Sequence, residues 1–504
     1  MRSGLRARDC TKRHPVGQAN EADEGHFLRP GSNCWRIARA TRFAVIVDAQ
    51  EYFRAVKEAM LAAQHAVYLI GWDFDTRVEF ERGDKTLEGP NTLGAFIRWI
   101  DKNRTDLRIY ILKWDVGMLF ELARGTTPLA MLGWLTSRRI NLRLDSAHPV
   151  GAAQHQKIVV IDDTLAFCGG IDITVGRWDT RLHRDEDARR ARANGKRYDP
   201  WHDATTAVEG EVAQALGTLA RTRWFDATGE TIAPPGRRDA LWPTGIDPLF
   251  TDVDVAIART VPPYEDIEAV QEIEALYLDA IARASSRIYC ESQYFASRRI
   301  AEAMAARLRE PDGPEIIVIN PDSADGYLEA AVMDTARARL LKMISAADRY
   351  GRFRIFTPVT AARQPIYVHA KILIVDDSIL RVGSSNFNNR SLGFDVECDL
   401  AVAPPAAAGG VSERIRGFRN DLVAEHLGLT AVEVGDAVKS HAGSLIRTIE
   451  GLMGPQKSLV PYVPDEPNAV ESALDDMELL DPERPAARRK HLFSRFGSHP
   501  MPLR

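Results

Sequence analysis

The chain contains one short pattern twice, and this duplication constrains the fold more than any other feature of the sequence. The first copy runs from His155 to Asp163 (HQKIVVIDD), and the second begins 214 residues later and runs from His369 to Asp377 (HAKILIVDD). In each copy, H-x-K precedes four apolar residues and two aspartates, which is typical of a short strand buried on both faces with polar residues at its ends. We therefore predict two related halves, each built around this strand.

The repeated residue types suit the cleavage of a phosphodiester. That reaction needs a nucleophile at phosphorus, a proton for the leaving alkoxide, and fixed positive charge around the non-bridging oxygens. Residues i and i+2 of an extended segment face the same side, so His155 and Lys157 can face one phosphate, as can His369 and Lys371. An isolated H-x-K would indicate only a capped buried strand with an exposed lysine. Its repetition, with glycine and aspartate in register, favours a catalytic pattern.

The segments that follow each copy point to one family. After the second copy, residues 383–391 read GSSNFNNRS, in which small residues let the backbone approach a phosphate and Ser and Asn side chains can donate hydrogen bonds. This segment resembles the G-S-x-N-x-N-x-R-S extension of the phospholipase D superfamily. In the first half, residues 169–179 (GGIDITVGRWD) and 200–203 (PWHD) resemble the eukaryotic-type members. The resemblance extends from about Phe43 to about Ala403.

This resemblance implies a role for two carboxylates. Asp203 is expected to orient His155, and Glu397 is expected to orient His369, because a carboxylate that accepts the Nδ1 proton fixes the tautomer and stabilises the imidazolium. Asp172 stands where the second half has Asn386, as in eukaryotic-type members, and it leaves open whether a cation assists.

The resemblance also implies a covalent mechanism, in which His155 attacks phosphorus to form a phosphohistidine while His369 protonates the leaving alcohol and later activates the incoming water or alcohol. The candidate catalytic residues are His155, Lys157, Asp162, His369, Lys371, Asp376, Asn386, Asp203 and Glu397. The candidate substrate-binding residues are Gly170, Asp172, Ser384, Ser385, Asn388 and Trp178. No metal ligand is predicted and no cofactor is expected to be required; calcium stays open as an alternative that the sequence does not indicate.

Helical patterns alternate with apolar strands, which predicts an α/β architecture. By family resemblance this is a duplicated phospholipase D fold: two α/β/α sandwich halves related by a pseudo-twofold, with the active site between them. We place an N-terminal extension at 1–40, the halves at 41–235 and 236–435, and a C-terminal helix and tail at 436–504. Both ends are polar and unpatterned and are expected to be poorly ordered. The Arg- and Asp-rich stretch 177–197 is predicted to be a mobile loop at the site entrance.

The predicted function is a phospholipase D that hydrolyses glycerophospholipids to phosphatidic acid and free headgroup and transfers the phosphatidyl group to alcohols. A cardiolipin or phosphatidylserine synthase-type phosphatidyltransferase, a phosphodiesterase or nuclease, and a binding protein without activity stay open. Both His-Lys pairs are intact, which disfavours the last. The net charge of -5 argues against a nucleic-acid partner. The chain has neither an apolar stretch that could span a bilayer nor a secretory signal. We therefore expect a cytoplasmic monomer that meets its phospholipid substrate at the membrane surface.

Overall fold

The computed structural model describes residues 26–115, 134, 137–236, 242–403, 409–464 and 481, apart from the side chains at 327, 328 and 409. Within this part of the chain, sixteen strands form one mixed sheet and two short strands form a separate pair. The strands are β1 (Arg36–Val47), β2 (Ala66–Gly71), β3 (Arg108–Trp114), β4 (Ile140–Asp145), β5 (Ile158–Ile161), β6 (Leu165–Gly169), β7 (Trp201–His202), β8 (Ala204–Gly210), β9 (Phe250–Val261), β10 (Val270–Gln271), β11 (Arg287–Glu291), β12 (Glu315–Ile319), β13 (Phe353–Val359), β14 (Tyr367–Val368), β15 (Ile372–Val375), β16 (Ile379–Gly383), β17 (Glu397–Val402) and β18 (Ser458–Pro461). The helices span Ala49–Ala62, Leu93–Asn103, Glu211–Thr228, Glu272–Arg283, Arg298–Leu308, Tyr327–Ala347, Asn389–Gly393, Gly409–Leu427, Ala431–Ser440 and Leu445–Leu452.

The order of strands in the sheet shows the duplication directly. One half reads β4-β3-β2-β5-β6-β8-β1, and the other reads β13-β12-β11-β15-β16-β17-β9. In both halves the first three strands are parallel and the remaining neighbours are antiparallel. The two halves join where β1 pairs antiparallel with β9. The predicted duplicated α/β fold is therefore confirmed, and strands that correspond by sequence occupy corresponding places.

The repeated pattern forms the strands β5 and β15, and each of their residues is buried. Four consecutive apolar residues are needed here because neighbouring strands cover both edges and helices cover both faces. The histidine and lysine of each copy lie just before the strand, and the aspartates lie just after it. The two ends of each strand consequently serve different purposes.

The first aspartate of each copy lies in a turn at the far end of the strand from the histidine, which corrects its assignment as catalytic. Asp162 accepts hydrogen bonds from the backbone N–H groups of residues 64–66 at 2.7–2.8 Å. Asp376 does the same for residues 285–287. Both aspartates have a positive φ of 50° within the turn. Each carboxylate thus ties a helix end to the start of the next strand, a structural role.

Two predicted flexible regions are in fact packed against the fold. Residues 26–40 include the buried Cys34 and the beginning of β1, so the proposed boundary at residue 40 lies too far along the chain. The stretch 177–197 is anchored because His183 and Arg190 are buried and both contact the carboxylate of Asp179. Residues 1–25 and most of the predicted C-terminal tail lie outside the described residues. The other domain boundaries remain predictions.

Among the helices of the described residues, none combines the length and the apolar character that a membrane-spanning segment needs.

Candidate active site

A cavity of about 730 Å³ collects the motif residues of both halves. Its wall includes His155 and Asp172 from the first half and His369 and Asn386 from the second. Cavities of this size suit a small-molecule ligand or the polar part of a larger one. The pseudo-twofold therefore brings the two copies of the repeated pattern to one site.

The first histidine is held by a carboxylate from the second half. His155 Nδ1 lies 2.9 Å from Oε1 and 3.0 Å from Oε2 of Glu397, the first residue of β17. Ser384 and Ser391 also donate hydrogen bonds to this carboxylate. Burial alone would raise the pKa of Glu397, but His155, Lys157 and Ser384 outweigh it and lower the pKa to about 2. Glu397 is therefore ionised and leaves Nε2 of His155 free for chemistry.

The second histidine is held by a carboxylate from the first half. His369 Nδ1 lies 2.7 Å from Oδ2 of Asp203, and the backbone N–H of His369 donates to the carbonyl of His202. Burial lowers the pKa of His369 well below its usual range, and Lys371 and Arg177 lower it further. Burial also raises the pKa of Asp203 to about 7, although Lys371 opposes this. Both shifts favour the neutral form of each partner, so burial opposes a full imidazolium–carboxylate pair here.

These contacts correct the predicted partners, because each carboxylate serves the histidine of the other half. Asp203 was expected to contact His155, and Glu397 was expected to contact His369. Two backbone pairings cause the exchange: β7 lies parallel to β14, and Gln154 forms a parallel bridge with Val396. Each pairing places a motif histidine beside the carboxylate-bearing segment of the opposite half.

The two motif lysines are also placed differently. Lys157 Nζ donates to the carbonyl of His155 at 3.0 Å and pairs with Asp172 Oδ2 at 3.2 Å. Lys371 Nζ donates to the carbonyl of His369 and lies 3.3 Å from Oε1 of Gln293. Asp172 therefore compensates the charge of Lys157, whereas the second half uses a neutral amide in that position. Burial, partly offset by Asp203, lowers the pKa of Lys371 to about 7.

The two asparagines of the second motif both line the cavity. Asn386 Nδ2 lies 3.5 Å from Gln293, and its Oδ1 makes no hydrogen bond among the described residues. Asn388 accepts a hydrogen bond from the backbone N–H of Ser391 and so caps the short helix Asn389–Gly393. Asn386 therefore makes few contacts with the protein, and its side chain is available to a ligand in the cavity. Asn388 also lines the cavity, but it caps the short helix as well.

Four residues predicted to bind substrate instead support the site from behind. A side chain at Gly170 would lie 2.3 Å from Oδ1 of Asp203, so this glycine makes room for the carboxylate rather than for a phosphate. Ser384 is fully buried and donates to Glu397. Ser385 is buried and donates to Asp399. Trp178 is buried in the core and is absent from the cavity wall. These four assignments are corrected to structural roles.

Sequence reasoning missed an aromatic and cationic wall beside His369. Trp201 lines the cavity, and its ring lies 4.5 Å from that of Tyr367 and 5.2 Å from that of His369. The Arg177 guanidinium lies 4.1 Å from the centre of the Trp201 ring and also borders the cavity. Both residues belong to the motifs G-R-W-D and P-W-H-D. These motifs were therefore the available signal, although the prediction named Trp178 and not its neighbour Arg177.

A second group of unpredicted residues, from other parts of the chain, also lines the cavity. Trp72 and Trp114 stack at 5.8 Å, and Tyr294 donates a hydrogen bond to Glu329 at 3.1 Å. Burial raises the pKa of Glu329, although Tyr294 opposes this. The cavity thus combines aromatic surface with carboxylates, and nothing in the two motifs indicated these residues.

Taken together, the site holds two imidazoles with their Nδ1 atoms fixed by carboxylates, and two lysines directly behind them. One imidazole can attack a phosphorus atom while the other delivers a proton to the leaving oxygen. The lysines and Arg177 supply the fixed positive charge that the developing phosphorane requires. This chemistry needs residues from both halves.

Comparison with known proteins agrees with the geometry. Residues 277–417 match the family described as cardiolipin synthase, PLD-like domain. The chain is 23% identical to phospholipase D A of Dictyostelium discoideum over 76% of its own length and 35% of that protein. It is 24% identical to phospholipase D alpha 1 of Nicotiana tabacum over 74% of its own length and 63% of that protein. The chain therefore spans less than two thirds of either relative. A phosphatidylserine synthase structure from Haemophilus influenzae Rd KW20 aligns with a TM-score of 0.49 and 11% identity, covering 77% of this chain and 87% of that one.

Proposed function

Because the chain belongs to the phospholipase D superfamily, we propose that it is a phospholipase D that hydrolyses glycerophospholipids to phosphatidic acid and the free headgroup. The observation that carries this proposal is the pair of crossed dyads, His155 with Glu397 and His369 with Asp203, in one cavity. A binding protein would not need two oriented imidazoles backed by two buried lysines.

In the proposed reaction, Nε2 of His155 attacks phosphorus and the bond to the headgroup oxygen breaks. His369 donates its proton to that oxygen, which leaves as the headgroup alcohol. His369 then accepts a proton from water or from an alcohol, whose oxygen attacks the phosphohistidine and releases His155. Lys157, Lys371 and Asn386 are proposed to hold the non-bridging oxygens throughout.

The environments of the two histidines support this division of labour. His155 lies against an ionised carboxylate, which stabilises the positive charge that its ring gains when it binds phosphorus. Its side chain is 17% exposed, whereas that of His369 is 6% exposed, so His155 is the more accessible to a phosphorus atom. Asp203 holds Nδ1 of His369 at 2.7 Å, which leaves Nε2 of His369 to exchange a proton with the leaving and incoming oxygens.

The proposed test separates the covalent mechanism from direct attack by water. Defined phospholipids are incubated with the protein, with and without ethanol, and the products are identified. Phosphatidylethanol should form at the expense of phosphatidic acid, because a phosphohistidine outlives the departing headgroup and accepts either hydroxyl. With a phosphorus-chiral substrate the configuration should be retained, since two in-line displacements each invert it.

Other outcomes would assign the site differently. Inversion at phosphorus would exclude the covalent intermediate. Formation of cardiolipin from phosphatidylglycerol, or of phosphatidylserine from a nucleotide-linked lipid, would favour the phosphatidyltransferase alternative. Cleavage of DNA in place of lipid would favour a nuclease. If the protein turned over none of these substrates, a binding protein without activity would be favoured.

We propose that no cation acts at the phosphate, because the required charge is built into Lys157, Lys371 and Arg177. Brief treatment with EDTA should leave headgroup release unchanged. Complete loss of activity that calcium restores would show that Asp172 recruits a cation. The cytoplasmic location, the monomeric state and contact with the membrane surface remain predictions.

A further inference from the structure

A second cluster of titratable side chains lies beneath the active site, and the proposed reaction uses none of it. It comprises Asp48 before the first helix, His183 in the stretch 177–197, His202 in β7, and Glu425 in the helix Gly409–Leu427. All four are buried, and one ligand atom from each lies within 4.8 Å of the others. Four segments that are distant in sequence thus bring two nitrogen atoms and two oxygen atoms close together.

Four distances between these groups are close to the edge length of a tetrahedral coordination shell. Oε1 of Glu425 lies 3.1 Å from Nε2 of His183 and 3.1 Å from Nδ1 of His202. Asp48 lies 3.4 Å from Nε2 of His183 through Oδ2 and 3.3 Å from Nδ1 of His202 through Oδ1. Ligands about 2.0–2.1 Å from a tetrahedral zinc ion are separated by about 3.3–3.4 Å. These four distances are compatible with an ion at the centre of the cluster.

The opposite nitrogen of each imidazole is occupied in the way that metal-bound histidines require. His183 Nδ1 lies 3.0 Å from Oδ2 of Asp179, and His202 Nε2 lies 2.8 Å from Oε2 of Glu291. A carboxylate at this position fixes the N–H there and leaves the other nitrogen with a free lone pair. Both histidines consequently turn their other ring nitrogen toward the same point.

Two atoms at that point have no hydrogen bond. Oδ2 of Asp48 and Nδ1 of His202 are buried and unpartnered among the described residues, despite the short distances to their neighbours. Buried polar atoms normally have a partner, and an ion supplies one. We propose that Asp48, His183, His202 and Glu425 bind a structural zinc ion.

Zinc suits this donor set better than calcium does. Calcium takes six to eight oxygen ligands, whereas two imidazoles and two carboxylates give the four mixed ligands typical of zinc. Glu291 also contacts His426 Nε2 at 3.1 Å and supports His202 from outside the site. Asp48 borders one surface groove, and His183 and Glu425 border another, so an ion can enter from solvent.

The site is connected directly to the second dyad. Oδ1 of Asp48 accepts a hydrogen bond from the backbone N–H of Asp203 at 3.1 Å, and the N–H of Asp48 donates to the carbonyl of Asp203 at 2.7 Å. His202 immediately precedes Asp203 in the chain. The ion therefore fixes the backbone that carries the carboxylate of His369, which makes its ligands positioning residues.

The test measures metal and does not depend on the proposed phospholipase activity. The full chain is produced without a histidine tag in medium supplemented with zinc, purified without chelator, and analysed by mass spectrometry for metals. We expect about one zinc ion per chain in the wild type. His183→Gln should lose the ion and unfold at a lower temperature. The matched control His65→Gln changes an exposed histidine and should retain it.

X-ray absorption of the wild type makes the test independent of whether His183→Gln folds. The zinc shell should contain nitrogen and oxygen only, and cobalt-grown protein should show the strong visible absorption of tetrahedral Co²⁺. Three results would each overturn the proposal: no stoichiometric metal in either medium, sulfur in the zinc shell, or equal metal in both histidine variants. The first would indicate a closed network of imidazolium and carboxylate groups. Because these readouts need no substrate, a failed lipid assay would leave them valid.

Discussion

The crossed pairing of histidines and carboxylates makes a prediction that pairing within each half does not. Glu397→Gln keeps the shape of the side chain but removes the charge next to His155. Burial opposes ionisation of Glu397, yet His155 and its neighbours lower its pKa from 4.5 to about 2. At about 1.4 kcal/mol per pH unit, this difference amounts to a net preference of about 3 kcal/mol for the ionised carboxylate in the site. If that preference is needed in the transition state, kcat should fall by about two orders of magnitude.

The identity of each partner can be read from the first turnover of phosphatidyl-p-nitrophenol. Nitrophenolate leaves without a proton, so loss of the general acid should matter little for its pre-steady-state release, whereas loss of the nucleophile should abolish it. His369→Ala and Asp203→Asn should therefore release nitrophenolate at nearly the wild-type rate while failing on phosphatidylcholine. His155→Ala and Glu397→Gln should be impaired on both substrates.

The comparison tests the pairing even if nucleophile and acid are exchanged. In either case, Glu397→Gln should behave like the His155 variant and Asp203→Asn like the His369 variant. The exposed substitution Glu302→Gln provides a charge-matched control, and circular dichroism checks that each variant is folded. If Asp203→Asn behaved like His155→Ala, the crossed dyads would be refuted.

Three further predictions follow from particular contacts. Asp162→Ala should lower the free energy of unfolding by about 1–3 kcal/mol, because three backbone N–H groups lose their acceptor, while kcat of the folded enzyme stays unchanged. Lys371 is charged only when protonated, and its pKa is lowered to about 7, so kcat/KM should fall as the pH rises through about 7. Lys371→Arg should move this fall in the pH profile to higher pH, because arginine keeps its charge. An unchanged profile would contradict the assignment of the fall to Lys371. Val150 is fully exposed beside Gly151 of the cavity wall, so Val150→Asp should reduce activity on vesicles but not on monomeric short-chain lipids.

The fold could be predicted from sequence to a useful level because the duplicated pattern has a strong physical signature. Four apolar residues between polar ends specify a strand that is covered on both faces, and β5 and β15 are such strands. The packed stretch 177–197 was misjudged because its charged residues looked solvated. In the structure Asp179 is buried and pairs with Arg190, so the charges hold the stretch in place.

The roles of small and acidic residues were harder to predict, because they depend on neighbours from elsewhere in the chain. Gly170 looked like a phosphate contact, yet the space that it leaves is filled by Asp203. Asp162 and Asp376 share the motif with the histidines, but a strand of four residues separates them from the cavity. A motif specifies which residues recur without specifying which of them face the ligand.

The exchange of carboxylates between the halves could not have been derived from the duplication. A pseudo-twofold is satisfied equally by two pairs within the halves and by two pairs between them, because the operation maps either arrangement onto itself. Two local backbone pairings select the arrangement between the halves, and no sequence pattern indicates them. They are the parallel pairing of β7 with β14 and the bridge from Gln154 to Val396. These contacts bring the segment that carries each carboxylate against the histidine of the other half. Neither half then holds a complete dyad, so the chemistry requires both copies of the motif in one chain or in closely packed chains.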